Sequence, residues 1–213
     1  WSAFFRKPVP PLAEPPVLRF DPHKDHHAIY QNLNLARYQP LVQTYFAPSK
    51  KVLNRTAALI KKYRLDLTEL IAVNIRGTDK HTEIPQPPVE RYLTLAREMR
   101  ATFPTHKVLL VTDQTQYILP FKAEFGADLI TFSELPTTRS DASIHSLISR
   151  RERESFGVTF FAAVLIISGA NGVITHTGNG AFWTALFRGH TRGFVQVRGL
   201  KEVHRGAGFG NDV

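Results

Sequence analysis

The chain has 213 residues, 43% of them hydrophobic and 21% charged, proportions that fit one packed domain plus an extension and exclude a disordered or fibrous chain. Its cysteine count of zero excludes disulfide scaffolds, thiolate metal sites and cysteine nucleophiles. The formal net charge of +9 points to an anionic partner, either nucleic acid or a phosphorylated small molecule. The basic residues are spread along the chain, without the arm or aromatic-interleaved stripe of a nucleic-acid binder, so no nucleic-acid partner is expected.

The first 48 residues are rich in proline, as in Lys7-Pro-Val-Pro-Pro, and show no sustained period before Tyr30. They are expected to form an extended arm or the remnant of an upstream domain, with the domain proper over residues 49–213. Within the arm, Asp21, His23, Asp25, His26 and His27 have metal-ligand types but lack the helical pairing of a built site, so no metal is expected.

Ser49 is placed to cap a helix running to Tyr63, with Val52, Leu53, Ala57, Leu59 and Ile60 as its apolar face. Residues 70–75 read as a buried strand that ends in a polar loop, and residues 89–100 as a helix after Pro88. A second buried strand follows at 107–112, with Asp113 at its end and a helical stretch over 115–124. A third strand is predicted at 127–132, then an apolar helix over 156–167 and a fourth strand at 172–175. The loop 176–180, a helix over 181–188 and a last strand at 193–197 complete the pattern. The longest apolar run, 156–168, falls short of the roughly 20 residues that a membrane span needs, and nothing at the start reads as a signal peptide. No membrane span in this chain and a cytoplasmic location are expected. Alternating strands and helices imply a Rossmann-like, mostly parallel sheet with helices on both faces, whose ligands bind beyond the carboxyl ends of the strands.

Three polar segments fall at such ends. In the first, Arg76 can fork onto two oxygens of a diphosphate, Gly77 admits close backbone approach, and Lys80 adds a mobile cation for leaving-group charge. A surface loop with an Arg–Asp ion pair is the plain alternative. In the second, Asp113 can bind a hydroxyl, hold Arg76 or cap a helix. In the third, Thr177, Gly178, Asn179 and Gly180 join a strand to a helix, where backbone N–H groups can hold phosphate oxygens or simply make a tight turn. Glu83, beside the cationic loop, is the best-placed candidate for a general base, with His145 and His176 as alternatives.

The run Val73-Asn-Ile-Arg-Gly-Thr-Asp-Lys80 resembles the signature His-Val-Arg-Arg-Thr-Asp-Lys of the fucosyltransferase superfamily, which includes α-1,6-fucosyltransferases, the rhizobial nodulation fucosyltransferase and protein O-fucosyltransferases. Further likenesses follow in the family's order. Val108 to Asp113 resembles its strand ending in Ala-Thr-Asp, Ile144-His145 its Leu-His, and residues 167–180 its phosphate loop. The resemblance spans residues 40–190. It implies the C-terminal, donor-binding half of a GT-B glycosyltransferase that inverts the sugar's configuration and needs no metal. By position, Arg76 would grip the donor β-phosphate with Lys80 assisting, Gly178 and Asn179 would donate backbone N–H groups, and Glu83 would activate the acceptor. Asn74, Gly77, Asp113, His145, Thr177 and Gly180 join the expected donor-binding set.

Three positions depart from the family. Asn74 stands where the signature has histidine, Ala163 where a helix carries aspartate, and Gly77 where a second arginine is found. The first two positions help to recognise guanine in the family, and their change suggests another base, a reshaped pocket or a domain that no longer catalyses. The expected partners are therefore a nucleotide sugar, with GDP-fucose as one candidate and no further cofactor, and a glycan acceptor. The alternative is a noncatalytic nucleotide- or glycan-binding module.

Overall fold

A computed structural model of the chain describes residues 3–6, 28–78, 85–200 and 202–208. Strands β1 (Leu70–Ile75), β2 (Lys107–Thr112), β3 (Leu129–Thr131), β4 (Gly172–His176), β5 (Phe194–Arg198) and β6 (Glu202–Arg205) form one sheet in the order β3-β2-β1-β4-β5-β6. Every neighbouring pair is parallel except β5 with β6. The central strand β1 runs in register with β2 from Leu70 opposite Lys107 to Ile75 opposite Thr112, and with β4 from Ile71 opposite Gly172 to Asn74 opposite Thr175.

A central parallel strand is covered on both faces, so it must be apolar at nearly every position. All six residues of β1 are buried. Alternate side chains divide between two cores, as the pleat requires. Ile71, Val73 and Ile75 meet α3 (Val89–Thr102) and α4 (Ile118–Phe125) through Tyr92, Leu95, Met99 and Phe121. Leu70 and Ala72 face the opposite core, built from α1 (Leu35–Tyr45), α2 (Lys50–Tyr63), α6 (Arg153–Gly169) and α7 (Asn179–Arg188). Between α4 and α6 in sequence lies the short helix α5 (Ile144–Leu147). Helix α6 packs against α2, α7 and β1, which explains an apolar composition almost all round its axis.

Local signals set several boundaries. The Ser49 hydroxyl accepts the Val52 N–H at 3.3 Å and starts α2. Gly189, at φ +74°, ends α7 in a left-handed cap that a side chain would strain. Just before it, Arg188 donates to the carbonyls of Ser168, Ala170, Asn171 and Arg192, tying the end of α7 to the end of α6.

The structure corrects the expected arm over part of its length. Residues 35–45 form α1, whose Leu35 and Val42 enter the core together with Tyr30. Pro40 inside the helix, and an apolar face reduced to a few residues, removed the periodic signal. The third strand is shorter than predicted because residues 126–128 form a 3-10 turn opening at Gly126, φ +52°. Strand β6 was not anticipated. Its sequence, Glu-Val-His-Arg, has no apolar run and suits a charged edge strand.

The order of the strands creates the site. From β1 the chain leaves toward α3 on one face, and from β4 toward α7 on the other. The two connections diverge above adjacent strands, so a crevice opens at their carboxyl ends.

Candidate functional site

A cleft of about 240 Å³ lies in that crevice. Its floor and cationic side come from Asn74, Ile75 and Arg76 at the end of β1, Thr112 and Asp113 at the end of β2, and His176 at the end of β4. Asn179 and Gly180, the first residues of α7, close one side. Leu135 and Pro136, from the segment after β3, also line the cleft, while Ile144, His145, Phe156 and Phe160 add a largely apolar, aromatic part of the lining.

Asp113 fixes the loop that carries Arg76. One carboxylate oxygen accepts the Gly77 N–H at 2.8 Å, and the other accepts the Thr78 hydroxyl at 2.7 Å. The second oxygen also lies 3.9 Å from Arg76 Nε. Asp113 is thus an organiser of the cationic loop, and Arg76, with 31% of its side chain exposed, keeps contact with solvent in the cleft. Asn179 and Gly180, which line the same cleft, occupy the first turn of α7, where backbone N–H groups have no partner within a helix and the helix dipole favours an anion. A cation and a helix N-terminus therefore face one space, an arrangement suited to phosphate oxygens.

Six of the predicted donor-site residues line this cleft together: Asn74, Arg76, Asp113, His145, Asn179 and Gly180. Three others point elsewhere. A side chain at Gly77 would meet the Gln114 amide oxygen at 2.4 Å and the Tyr117 ring at 2.8 Å, so glycine here permits the loop to pack down on α4's approach rather than to reach a ligand. Burial, together with the charges of Asp113 and Asp141, holds the Tyr117 phenol above its ordinary range and keeps it neutral there. The Thr177 hydroxyl donates to the Val197 carbonyl at 3.1 Å and accepts from Gln196 Nε2 at 3.1 Å, which turns it toward β5. Gly178 gives its N–H to the Tyr30 hydroxyl at 3.2 Å, so the expected phosphate contact from that amide is redirected. Lys80 and Glu83 lie outside the described residues, as do Asp79 and the cluster from Asp21 to His27.

His176 is an orienting residue: its Nδ1 lies 3.1 Å from the Asn74 carbonyl, across the β1–β4 boundary. Ala163 is a fully buried residue of α6 in the core and is not part of the cleft lining. Sequence reasoning missed Phe156 and Phe160. Their rings are stacked, with centroids 6.1 Å apart, and His145 meets Phe156 edge-on at 5.6 Å. Phe160 is 36% exposed, which is unusual for such a residue inside an apolar helix. The two phenylalanines lie one turn apart in the N-terminal half of α6, a spacing shared by core residues of the same apolar helix, so no local signal marks them. Among the described residues no group of three His, Asp or Glu side chains is placed to hold a metal ion.

A doubly wound sheet with its cleft at the β1–β4 switch point defines a Rossmann-like α/β domain. Its fold is fucosyltransferase-like. The solved structure of NodZ α-1,6-fucosyltransferase co-crystallized with GDP matches at a TM-score of 0.54 and 15% identity, over 78% of this chain and 50% of that one. NodZ α-1,6-fucosyltransferase soaked with GDP-fucose matches at 0.50 and 16%, over 80% and 53%. Fucosyltransferase NodZ from Bradyrhizobium gives 0.49 and 14%, over 78% and 50%; the fold assignment rests on the first two. The chain spans about half the length of these transferases. No protein-family profile matches the sequence, and no curated protein does.

Proposed function

We propose that this domain binds a nucleoside diphosphate sugar and acts as the donor half of an inverting, fucosyltransferase-like GT-B glycosyltransferase. The carrying observation is the convergence of Arg76 and the start of α7 on one cleft with an aromatic wall. In this reading Arg76 and the Asn179 and Gly180 amides hold the diphosphate, and Phe156 and Phe160 flank the base. An acceptor hydroxyl oxygen attacks C1 of the sugar on the side opposite the diphosphate. The bond from C1 to the phosphate oxygen breaks, the nucleoside diphosphate leaves with the bonding pair, and the hydroxyl proton passes to the Glu83 carboxylate. Arg76 and Lys80 stabilise the departing charge in place of a metal ion. The acceptor is a glycan, the donor carries GDP or a related nucleotide, and the protein works in the cytoplasm. Fold neighbours crystallised with GDP and GDP-fucose support the nucleotide class.

A second reading, nucleotide binding without turnover, is favoured by Gly77. Where the motif it resembles carries a second guanidinium, glycine supplies none, and the Gln114 side chain and the Tyr117 ring occupy the space beside its α-carbon. A thermal-shift panel of GDP, UDP, ADP and their sugars, run on wild type and Arg76→Ala, tests the donor site. A ligand of the folded state must raise its melting temperature, and the shift should vanish in the variant. No shift with any nucleotide sinks the proposal. Sugar transfer that collapses in Glu83→Gln separates enzyme from binding module, whereas binding without transfer in wild type selects the module.

A further inference from the structure

Residues 28–32 join the domain by a set of buried polar contacts that end on the proposed anion site. The Tyr30 ring is completely buried between Phe182 of α7 and Phe194 of β5, at centroid distances of 5.9 and 6.1 Å. Its hydroxyl accepts the Gly178 N–H and donates to the Gly178 carbonyl, both at 3.2 Å. Gln196 fixes the segment: its side-chain oxygen accepts the Tyr30 N–H at 2.9 Å, while Nε2 donates to the Ala28 carbonyl at 2.9 Å and to Thr177 Oγ1 at 3.1 Å. Burial drives the Tyr30 phenol far above its ordinary range, only partly offset by the bond with Gly178, so the hydroxyl keeps its proton at any working pH.

Gly178 is the N-cap of α7, and its carbonyl also accepts the Phe182 N–H at 2.8 Å. One phenol therefore engages both ends of the residue that sets the direction of the first helical turn. A free Gly178 amide would compete with its successors for the same anion, or rotate away and carry Asn179 with it.

We propose that Tyr30 is a positioning residue of the anion site, holding Gly178 so that the amides of Asn179 and Gly180, and not that of Gly178, receive the phosphates. The inference rests on the donor-site reading above and adds to it a residue from the proline-rich N-terminal region. Tyr30→Phe keeps the buried ring and deletes the contact to both backbone groups.

The test is calorimetric titration of wild type and Tyr30→Phe with the nucleoside diphosphate that stabilises the wild type, and with its parent nucleoside. The diphosphate should bind about tenfold more weakly to the variant, the scale of one lost buried hydrogen bond, while nucleoside affinity stays within about twofold. A general loss of structure would weaken both ligands alike, and a hydroxyl that blocks the site would make the variant bind diphosphate more tightly; either result overturns the inference. The wild type gives a second readout that needs no variant. In its amide spectrum the diphosphate should shift Asn179 and Gly180 most, and a dominant shift at Gly178 contradicts the proposal. If wild type binds no nucleotide at all, the donor-site reading falls and takes this inference with it; normal wild-type binding with unchanged selectivity in Tyr30→Phe removes the inference alone.

Discussion

Replacing Asp113 with alanine removes the organiser of the cationic loop, and the structure gives the scale of the damage. Two charge-assisted hydrogen bonds are lost, from the Gly77 N–H at 2.8 Å and the Thr78 hydroxyl at 2.7 Å, each worth about 1.5–3 kcal/mol at most. The Arg76 contact at 3.9 Å would amount to about 4 kcal/mol at an effective dielectric of 20, but partial exposure of Arg76 reduces its net worth to roughly 1 kcal/mol. Thr78 is fully buried, so bulk water cannot replace the lost bond to Asp113 without loop movement. Relaxation of the loop returns part of this, and a net loss of about 3 kcal/mol is expected. For a domain of this size that corresponds to a melting temperature lower by about 6–12 °C. Asp113→Asn keeps one acceptor oxygen and should cost about half as much. Urea unfolding monitored by tryptophan fluorescence measures both, with the slope unchanged from wild type. A loss below about 1 kcal/mol in Asp113→Ala would mean that the loop is held by other contacts, and the organising role assigned to Asp113 would be wrong.

Arg188→Lys should destabilise the domain by about 2–3 kcal/mol although the charge is kept, because one ammonium cannot serve the four carbonyls that the guanidinium fork reaches; equal stability in denaturant titration refutes this. Glu134 gives an acid-sensitive contribution. Its partial burial acts to raise its pKa, but bonds from Lys62 and Tyr63 outweigh this and bring it from 4.5 down to about 2. With the folded pKa lowered, the stabilisation is complete above the unfolded value and fades as pH falls from 4.5 toward 2. Glu134→Gln should therefore flatten that limb of the stability profile by up to about 2 kcal/mol, after allowance for an exposed Lys62; an unchanged profile contradicts the coupling. Phe160→Ala should weaken nucleotide binding by about 1–2 kcal/mol in calorimetry with little effect on folding, and undiminished affinity removes the aromatic wall from the base site.

The elements legible in the sequence are those whose burial leaves a continuous apolar run or a capped period. Strand β1, buried along its whole length, and α2, opened by Ser49, are of this kind. Helix α1 and strand β6 are the opposite case: tertiary contact makes them, through Tyr30 and Leu35 for one and pairing of Val203 with Val197 for the other, while Pro40 and the charged pair Glu202 and Arg205 hide the local pattern. In the site, Arg76 and the start of α7 could be read because strand-end chemistry follows from strand order. Side-chain direction could not. Thr177 and Gly178 have the residue types of an anion loop, yet contacts from Gln196, on the next strand, and from Tyr30, 148 residues from Gly178 in sequence, turn their polar groups from the cleft. Phe156 and Phe160 failed for another reason: within an apolar helix, nothing local distinguishes a ring that passes the end of the sheet from one that packs on it.

The claim that Arg76 and the first turn of α7 share one diphosphate is tested most directly by a crystal structure of the domain with bound GDP. The two phosphates should lie in the cleft, with an Arg76 guanidinium nitrogen and the Asn179 and Gly180 amides within about 3 Å of their oxygens. GDP ordered at any other surface, or in the cleft with its phosphates turned away from both Arg76 and α7, would contradict it.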